Sequence, residues 1–461
     1  MKNNLLLVFL FLFFACSPNL KVNSQKKYYI DGHKNFNEQL SGNFTIGKRW
    51  WNKFNDPNLS YIVEEILKNS LDIKNMEINL QITKKRYEEE LSTRYPELNL
   101  QAEATRKGQH TEDMFGKKVY TLGNSYSLSL FASYELDLFK KLKARQKSYF
   151  HTFLETQYEK KAAVQSVLVE GIRLYFYLSY LQHKKSLIEQ IKNIARQKYE
   201  IAKISYNKGI IDLNTLKTYH NLFKSRQNDL TSINREIKDK FYELSVLVGR
   251  YPTTGFKITR WAKISEDILK INPGIPSDLL KRRPDIRAME EKLKSLEAKA
   301  KVARRARFPN ITLTGSAGFA SLELKELLLS ESSFFSIGGN ILQPIFNAGK
   351  LKREEEIAIL NFRMAEVEFS KTVLNALREV EGVLNVERTL REQKRVIGEI
   401  KKNREKQLAI QKIKYFCGDI SLIELKDMEE KYIDILLTKE QNRFDLLSNR
   451  LNLVKALGGD W

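Results

Sequence analysis

An internal repeat is the sequence feature that most restricts how this chain can fold. The segment from Tyr206 to Leu216 aligns with the segment from Tyr415 to Leu425 at an offset of about 209 residues. The same offset aligns a segment that ends in Gly249 with one that ends in Gly458. Because these landmarks occur in the same order, they indicate a duplicated structural unit rather than chance similarity.

The duplication predicts how the 461 residues are divided. We expect a first repeat at residues 50–249 and a second at residues 276–461, joined by a linker with proline and glycine at residues 250–275. Residues 1–15 are predicted to be a signal peptide, and residues 16–49 an extended N-terminal segment. Within each repeat, the hydrophobic pattern predicts a helix, two strands, a very long helix, a turn and a further helix.

The N-terminus predicts export. A basic start at Lys2 precedes an apolar run from Leu5 to Phe14, which is typical of a secretory signal and too short for a membrane span of about 20 residues. Cys16 follows the small residue Ala15 and occupies the position of the lipidated cysteine in a bacterial lipoprotein signal. We therefore predict lipidation at Cys16; an ordinary signal peptide with an unmodified cysteine is the alternative.

Composition argues against an enzyme and against a metal protein. The 2 cysteines cannot form a disulfide framework, the 5 histidines show no ligand spacing, and no catalytic or phosphate-binding motif occurs. The net charge of +22 first indicates an anionic partner. Its lysines and arginines are, however, interleaved with glutamates along predicted helices, which favours a solvated surface that attracts anionic lipid or an acidic protein. We predict no catalytic residue, no cofactor, no metal and no nucleic-acid partner.

Alternating polarity predicts strands at residues 98–104, 126–134, 311–319 and 335–343. Strands of about 9–11 residues with one apolar face suit a transmembrane barrel, although a soluble sheet with one buried face has the same pattern. Four strands cannot close a barrel, and a bilayer does not tolerate open strand edges. A barrel would therefore need strands from several chains.

Two proline-free stretches, residues 140–205 and 350–416, predict very long helices. At 1.5 Å per residue, each would be roughly 100 Å long. Such helices need packing partners along their whole length, which is consistent with long helical hairpins. A soluble coiled-coil scaffold shows the same pattern, so helix length alone does not define the function.

A series of motifs carries a family resemblance. In chain order they lie at residues 50–59, 134–139, 274–287, 308–315, 344–346 and 456–461, and the segment from Gly274 to Arg287 is the most specific. Together they resemble the TolC-type outer-membrane factors, in particular the lipoprotein branch that serves drug-efflux pumps. Within the specific segment, we interpret Arg282 to Arg287 as a helix start and packing motif rather than an anion site, because Pro284 suits the first turn of a helix.

The resemblance implies a fold class, partners and a location. The fold would be mainly α with transmembrane β, in which three copies of a duplicated protomer share a twelve-stranded barrel on a helical tunnel. This homotrimer would lie in the outer membrane in contact with lipid, and would dock to a periplasmic adaptor and an inner-membrane transporter. The implied function is a passive exit duct for drugs or other small molecules. The outer-membrane component of a type I protein secretion system is the alternative.

The resemblance also assigns roles at the helical turns. Gly209 and Gly418, which suit tight turns because glycine tolerates positive φ, would contact the adaptor. Glu424 and Asp427 share one helix face and would form a ring of carboxylates at the closed periplasmic gate, to which Tyr415 would also belong. Solvated acidic residues on a charged helix are the alternative interpretation.

One departure from the family concerns how the closed tip is locked. Tyr415 matches a tyrosine of the family's locking contacts, but Ile420 stands in place of the arginine and Thr215 in place of the aspartate. Asp212 or Asp419 is the candidate substitute.

Overall fold

The computed structural model describes residues 36, 49–112, 116, 118–264 and 276–459. Cys16, the predicted signal peptide and most of the segment 16–49 lie outside the described residues. Residues 265–275 of the predicted linker also lie outside them.

The two halves of the chain share one order of elements. The first half contains a short 3-10 helix at Trp50–Phe54, helices α1 (Pro57–Asn69) and α2 (Leu71–Ser92), strands β1 (Glu97–Glu112) and β2 (Lys118–Leu136), and helices α3 (Lys141–Asn207) and α4 (Leu213–Leu247). The second half contains helices α5 (Pro276–Arg282) and α6 (Pro284–Arg305), strands β3 (Asn310–Ser321) and β4 (Ser333–Leu342), and helices α7 (Lys350–Cys417) and α8 (Leu422–Ala456). Single-turn 3-10 helices lie at Trp261–Lys263, Leu324–Glu326 and Ser330–Ser332.

The two very long helices are confirmed. Helix α3 has 67 residues and helix α7 has 68, so each is about 100 Å long at 1.5 Å per residue. Neither contains proline, which would break the ladder of hydrogen bonds. Among the described residues, no helix is both long and apolar enough to cross a membrane.

The four predicted strands are also confirmed, and within the described residues they form one antiparallel sheet in the order β1-β2-β3-β4. Leu100 lies opposite Leu130, Leu130 opposite Ala317, and Ala317 opposite Phe335. Because opposite residues share a face, this row belongs to an apolar face, and most of the serines and threonines lie on the other. Strands β1 and β2 extend beyond the prediction through residues 105–112 and 118–125, where polar residues occupy both faces and the alternation weakens although backbone pairing continues.

The helices continue the order of the sheet. Helix α2 leads into β1, β2 into α3, α6 into β3, and β4 into α7. Next to the sheet the helices pack side by side in the matching order α2-α3-α6-α7. Farther from the sheet, α4 and α8 pack against α3 and α7, giving the order α4-α3-α8-α7. One layer therefore runs from the strands to the helical turns.

The main hydrophobic core lies near the middle of this layer. Residues 164–181 of α3 supply its largest group of fully buried side chains, including Tyr175, Phe176 and Tyr180. Helix α1 and the C-terminal ends of α4 and α8 pack around them. Toward the helical turns the core narrows to a small cluster of Leu187, Ile191, Ile194 and Ile433.

Two glycines at equivalent positions of the repeats permit close backbone contacts. Gly249 and Gly458 both have positive φ, +75° and +72°. A Cβ at Gly249 would lie 2.4 Å from the carbonyl oxygen of Asn69, and a Cβ at Gly458 would lie 2.8 Å from the carbonyl of Arg282. Each glycine thus lets the end of one helix pack on the end of another.

The segment that follows Arg282 starts a helix, as predicted. Pro284 occupies the first turn of α6. The Arg283 guanidinium donates to the Ala456 carbonyl at 2.8 Å and to the carboxylates of Asp285 and Glu379 at 2.8 and 2.7 Å. The motif therefore joins the start of α6 to α7 and to the end of α8.

A third glycine controls the spacing of the sheet. A Cβ at Gly318 of β3 would lie 2.1 Å from the carbonyl oxygen of Leu128 and 2.5 Å from the Cα of Ser129, both on β2. A Cβ at Gly315 on the same strand would find its nearest neighbour, the Ser336 carbonyl oxygen, at 3.8 Å. Strand β3 thus approaches β2 closely at Gly318 only because this residue has no side chain.

Candidate functional site

The turn between α3 and α4 closes around Gly209. This glycine has φ +71°, and its N–H donates to the Tyr206 carbonyl at 2.9 Å, while the Ile210 N–H donates to the Ser205 carbonyl at 2.9 Å. These two bonds satisfy carbonyls that the helix end would otherwise leave unpaired. Asp212 then begins α4 by accepting a hydrogen bond from the Thr215 N–H at 2.8 Å.

The turn between α7 and α8 repeats this geometry. Gly418 has φ +82°, its N–H donates to the Tyr415 carbonyl at 3.1 Å, and the Asp419 N–H donates to the Lys414 carbonyl at 2.9 Å. A Cβ on either turn glycine would meet no atom within 4 Å. Backbone conformation, rather than crowding, therefore explains both turn glycines within the protomer.

Glu424 has a local structural role that the sequence analysis missed. Its carboxylate accepts from the Ser421 N–H at 2.7 Å, while the Ser421 hydroxyl accepts from the Glu424 N–H at 3.2 Å. These reciprocal bonds form a capping box, whose sequence signal is a serine followed three residues later by glutamate. The hydrogen bond from the Ser421 backbone lowers the pKa of Glu424, so this exposed carboxylate stays charged. The equivalent position in the first repeat is Thr215, which cannot complete such a box.

Asp427 is not a free acidic group, because it pairs with a lysine of another helix. Its Oδ1 lies 2.5 Å from Nζ of Lys198, and the Asp427 side chain is 49% exposed. Lys198 belongs to α3, so this ion pair joins the second helical hairpin to the first. Of the two carboxylates predicted to form a ring, Glu424 therefore caps a helix and Asp427 pairs with a lysine in this protomer.

Lys198 is the centre of a larger cluster of charges. Its side chain is 3% exposed and donates to Oε2 of Glu430 at 2.5 Å as well as to Asp427. Glu430 also accepts from the Arg226 guanidinium of α4 at 2.8 Å. Burial opposes the charge on Lys198, but its hydrogen bonds to both carboxylates outweigh burial and raise its pKa. Burial likewise opposes the charge on Glu430, yet Lys198 and Arg226 lower the pKa of this carboxyl.

We name these four residues, Lys198, Arg226, Asp427 and Glu430, the tip charge cluster. The sequence holds a signal for it: Lys198 continues a series of buried apolar positions on α3 that includes Leu187, Ile191 and Ile194. A lysine at such a position needs anionic partners, because an unpaired buried charge is strongly unfavourable. The cluster binds α3, α4 and α8 together just above the helical turns.

Tyr415 does not form the expected lock within the protomer. Its ring is half-buried and packs against Phe416, with 5.9 Å between ring centroids. Among the described residues it forms no side-chain hydrogen bond with Thr215 or Ile420. Asp212, one candidate substitute, already caps α4 through Thr215.

Taken together, the apolar sheet face, the helices about 100 Å long and the charged helical turns define the protomer of a membrane channel. The chain belongs to the outer membrane efflux protein family, whose model matches residues 62–250 and 275–459. Each half of the chain is thus matched once.

Relatives and solved structures agree with this assignment. The chain is 27% identical over 425 residues to the probable outer membrane lipoprotein SilC of Salmonella typhimurium, covering 89% of this chain and 88% of SilC. It is 27% identical over 415 residues to the solvent efflux pump outer membrane protein SrpC of Pseudomonas putida, covering 88% and 86%. The open state of the Neisseria gonorrhoeae MtrE outer membrane channel matches with a TM-score of 0.82 at 24% identity, covering 94% of this chain and 96% of MtrE.

These findings confirm the predicted family, the fold class, the outer-membrane location and the function as an efflux channel component. The solved structure supports the fold, and the family supports the role in efflux.

Proposed function

We propose that three copies of this chain form the exit duct of a tripartite pump that moves small molecules out of the cell. Each copy contributes four strands to a twelve-stranded barrel and its long helices to a periplasmic tunnel. The helical turns at Gly209 and Gly418 dock on an adaptor protein, which connects the duct to an inner-membrane transporter. Lipidation of Cys16 gives the trimer an additional anchor in the outer membrane.

The open edges of the sheet are the observation that carries this proposal. Strands β1 and β4 form the two edges of the sheet in the described part of the chain. Strand β4 has 10 residues, and about half of their N–H and C=O groups point away from β3. In a bilayer each unpaired group costs several kcal/mol, so one protomer alone would lose tens of kcal/mol. Pairing of β4 with β1 of the next copy removes both edges.

The helices below the sheet support the same arrangement. Helix α7, at one side of the layer, carries a stripe of apolar side chains that are more than 40% exposed and lie three or four residues apart: Ile357, Leu360, Met364 and Val367. Helix α2, at the other side, exposes Ile78 and Ile82 at the same spacing. Apolar stripes at this spacing typically pack against another helix, and the neighbouring copy supplies one on each side.

The tip charge cluster supports a gate at the helical turns. It holds the α7–α8 hairpin against α3, while Glu424 and the exposed half of Asp427 remain available to line a narrow entrance. In a trimer, three copies of each carboxylate would surround one axis and favour cations there. Opening would require the α8 side of the cluster to separate from Lys198.

Electrical recordings test the duct and the gate together. We expect the purified protein to have the mass of a trimer and to conduct ions in planar bilayers with a preference for cations. Glu424→Gln with Asp427→Asn keeps the hydrogen-bonding shape of both sites but removes the charges, and should reduce that preference. Glu405→Gln, a substitution on the exposed surface of α7, is the matched control.

A monomer or dimer in membranes would overturn the duct, and unchanged selectivity in the double variant would overturn the carboxylate ring. Co-purification of the inner-membrane partner distinguishes small-molecule efflux from protein secretion. A transporter of small molecules supports the proposal, and a protein-secretion transporter contradicts it.

A further inference from the structure

A small polar cavity lies where α2, α3 and α6 meet, away from the helical turns and the tip charge cluster. Its volume is about 220 Å³, and it is lined by Thr83, Arg86, Ser148, Tyr149, Thr152 and Lys299. At about 30 Å³ per water molecule, it has room for on the order of seven waters or for one tetrahedral oxyanion. Thr83 and Ser148 are buried, whereas Arg86 and Lys299 are exposed, so hydroxyl groups form the floor and cations the rim.

The cations at the rim are available to a ligand. Within the described residues, Arg86 and Lys299 take part in no hydrogen bond and in no ion pair shorter than 4 Å. Lys299 interacts at longer range with Glu155, which lies one helical turn beyond Thr152. Burial raises the pKa of Glu155 to about 7, so this carboxyl is only partly charged at neutral pH and opposes an anion weakly.

The hydroxyl groups on the floor of the cavity also have one hydrogen that their mutual hydrogen bonds do not use. The Ser295 hydroxyl lies 3.1 Å from the Ser148 hydroxyl and 2.9 Å from the Thr152 hydroxyl. Three hydroxyl hydrogens serve two hydrogen bonds, so one hydrogen remains for another acceptor. The Tyr149 hydroxyl, which has no hydrogen-bond partner among the described residues, is a further donor.

The position of the cavity indicates where its ligand comes from. Arg86 and Lys299 each lie six residues before the end of their helix, and Ser148 seven residues after the start of α3, which places them about 9–11 Å from the helix ends that lead to the strands. Two adjoining segments, residues 141–147 and 299–305, each hold four basic residues and no acidic one. The apolar rows of the sheet begin close to these helix ends, so the cavity lies beside the periplasmic face of the membrane.

We propose that this cavity binds a phosphate group through Arg86, Lys299, Tyr149 and the spare hydroxyl hydrogen. Arginine and lysine form strong, charge-assisted hydrogen bonds with phosphate oxygens, and hydroxyl donors complete the tetrahedral anion. The phosphate belongs to a phospholipid headgroup of the membrane or to free inorganic phosphate. Both sources present the same chemistry to these residues.

Binding measurements on the full-length protein in an uncharged detergent test the proposal. Inorganic phosphate and a short-chain phosphatidylglycerol are titrated separately, with native mass spectrometry as the readout. Arg86→Gln with Lys299→Gln should weaken binding by roughly tenfold or more, because two charge-assisted contacts are lost. Lys147→Gln removes a charge at the same level along α3 but outside the cavity, and should change the affinity for either probe by about twofold or less.

Each result has a defined meaning. If wild-type protein binds inorganic phosphate and the double variant does not, free phosphate is sufficient. If only phosphatidylglycerol binds with that dependence, the site recognises a lipid headgroup. Binding of neither probe, or equal losses in the double variant and in Lys147→Gln, overturns the proposal.

Discussion

Replacement of Lys198 by methionine tests how the two helical hairpins are held together. Methionine keeps most of the length of the buried side chain but removes the charge that pairs with Glu430 and Asp427 at 2.5 Å each. Removal of one partner from a buried ion pair costs about 3–5 kcal/mol. Arg226 still pairs with Glu430 at 2.8 Å, and Asp427 is half-exposed, so we expect the lower end, about 3 kcal/mol.

Hydrogen exchange is the appropriate assay, because global unfolding of a trimer is not a two-state process. A loss of about 3 kcal/mol corresponds to roughly hundredfold faster exchange of amides in α3 near Lys198 and in the first turns of α8. The substitution should also raise the conductance of the closed channel. Lys203→Met, an exposed position on the same helix, controls for the loss of one lysine.

If amide hydrogens exchange at the same rate in Lys198→Met and in the Lys203→Met control, Lys198 does not hold the two hairpins together. A double-mutant cycle makes the test more specific, because Lys198→Met combined with Glu430→Gln should show a larger coupling energy than Lys198→Met combined with Asp427→Asn.

The dependence of stability on pH provides an independent check. The pKa of Glu430 is lowered below 4.5 in the folded state, so its contribution is present above pH 4.5 and disappears as pH falls through that lowered value.

Three further predictions concern glycine contacts and pH. Gly318→Ala should reduce the amount of folded oligomer in membranes, seen as loss of the heat-resistant band on gels, whereas Gly315→Ala should resemble wild type. Equal loss of this band in the two variants would contradict the close contact of β3 with β2. Gly458→Ala should destabilise its helix end by about 1–3 kcal/mol more than Gly209→Ala, measured by hydrogen exchange of the adjoining amides, because both positions have positive φ but only Gly458 is crowded by backbone. Burial raises the pKa of Glu155 from 4.5 to about 7, so the stability of the wild-type protein should fall as pH rises through this interval. Glu155→Gln should therefore raise the melting temperature more at pH 8 than at pH 5. An equal shift at both pH values would contradict this prediction.

The sequence predicted the long elements well because their signals are local and repeated. Absence of proline and regular apolar spacing are sufficient for helices such as α3 and α7. The outer parts of β1 and β2 were missed because the alternation of polarity weakens at residues 105–112 and 118–125, where polar residues lie on both faces. Backbone pairing, which holds these residues in strands, leaves no trace in side-chain polarity.

The site was harder to predict because its contacts join distant parts of the chain. Lys198 and Glu430 are 232 residues apart, and the sequence indicates only that a lysine occupies an apolar position. The family resemblance drew attention to Glu424 and Asp427 as a pair. The structure separates them into a capping residue and a member of the tip charge cluster. The capping signal at Ser421 was readable from the sequence and was overlooked.

The unpaired sheet edges described above have a genetic consequence. In a trimer, the barrel closes only when each protomer pairs with both of its neighbours, so one defective protomer prevents two intact ones from forming a channel. If a cell makes normal and defective chains in equal amounts, only about one assembly in eight contains three normal chains. Mutations that damage β1 or β4 should therefore be dominant over the normal gene, whereas those that prevent folding before assembly should be recessive.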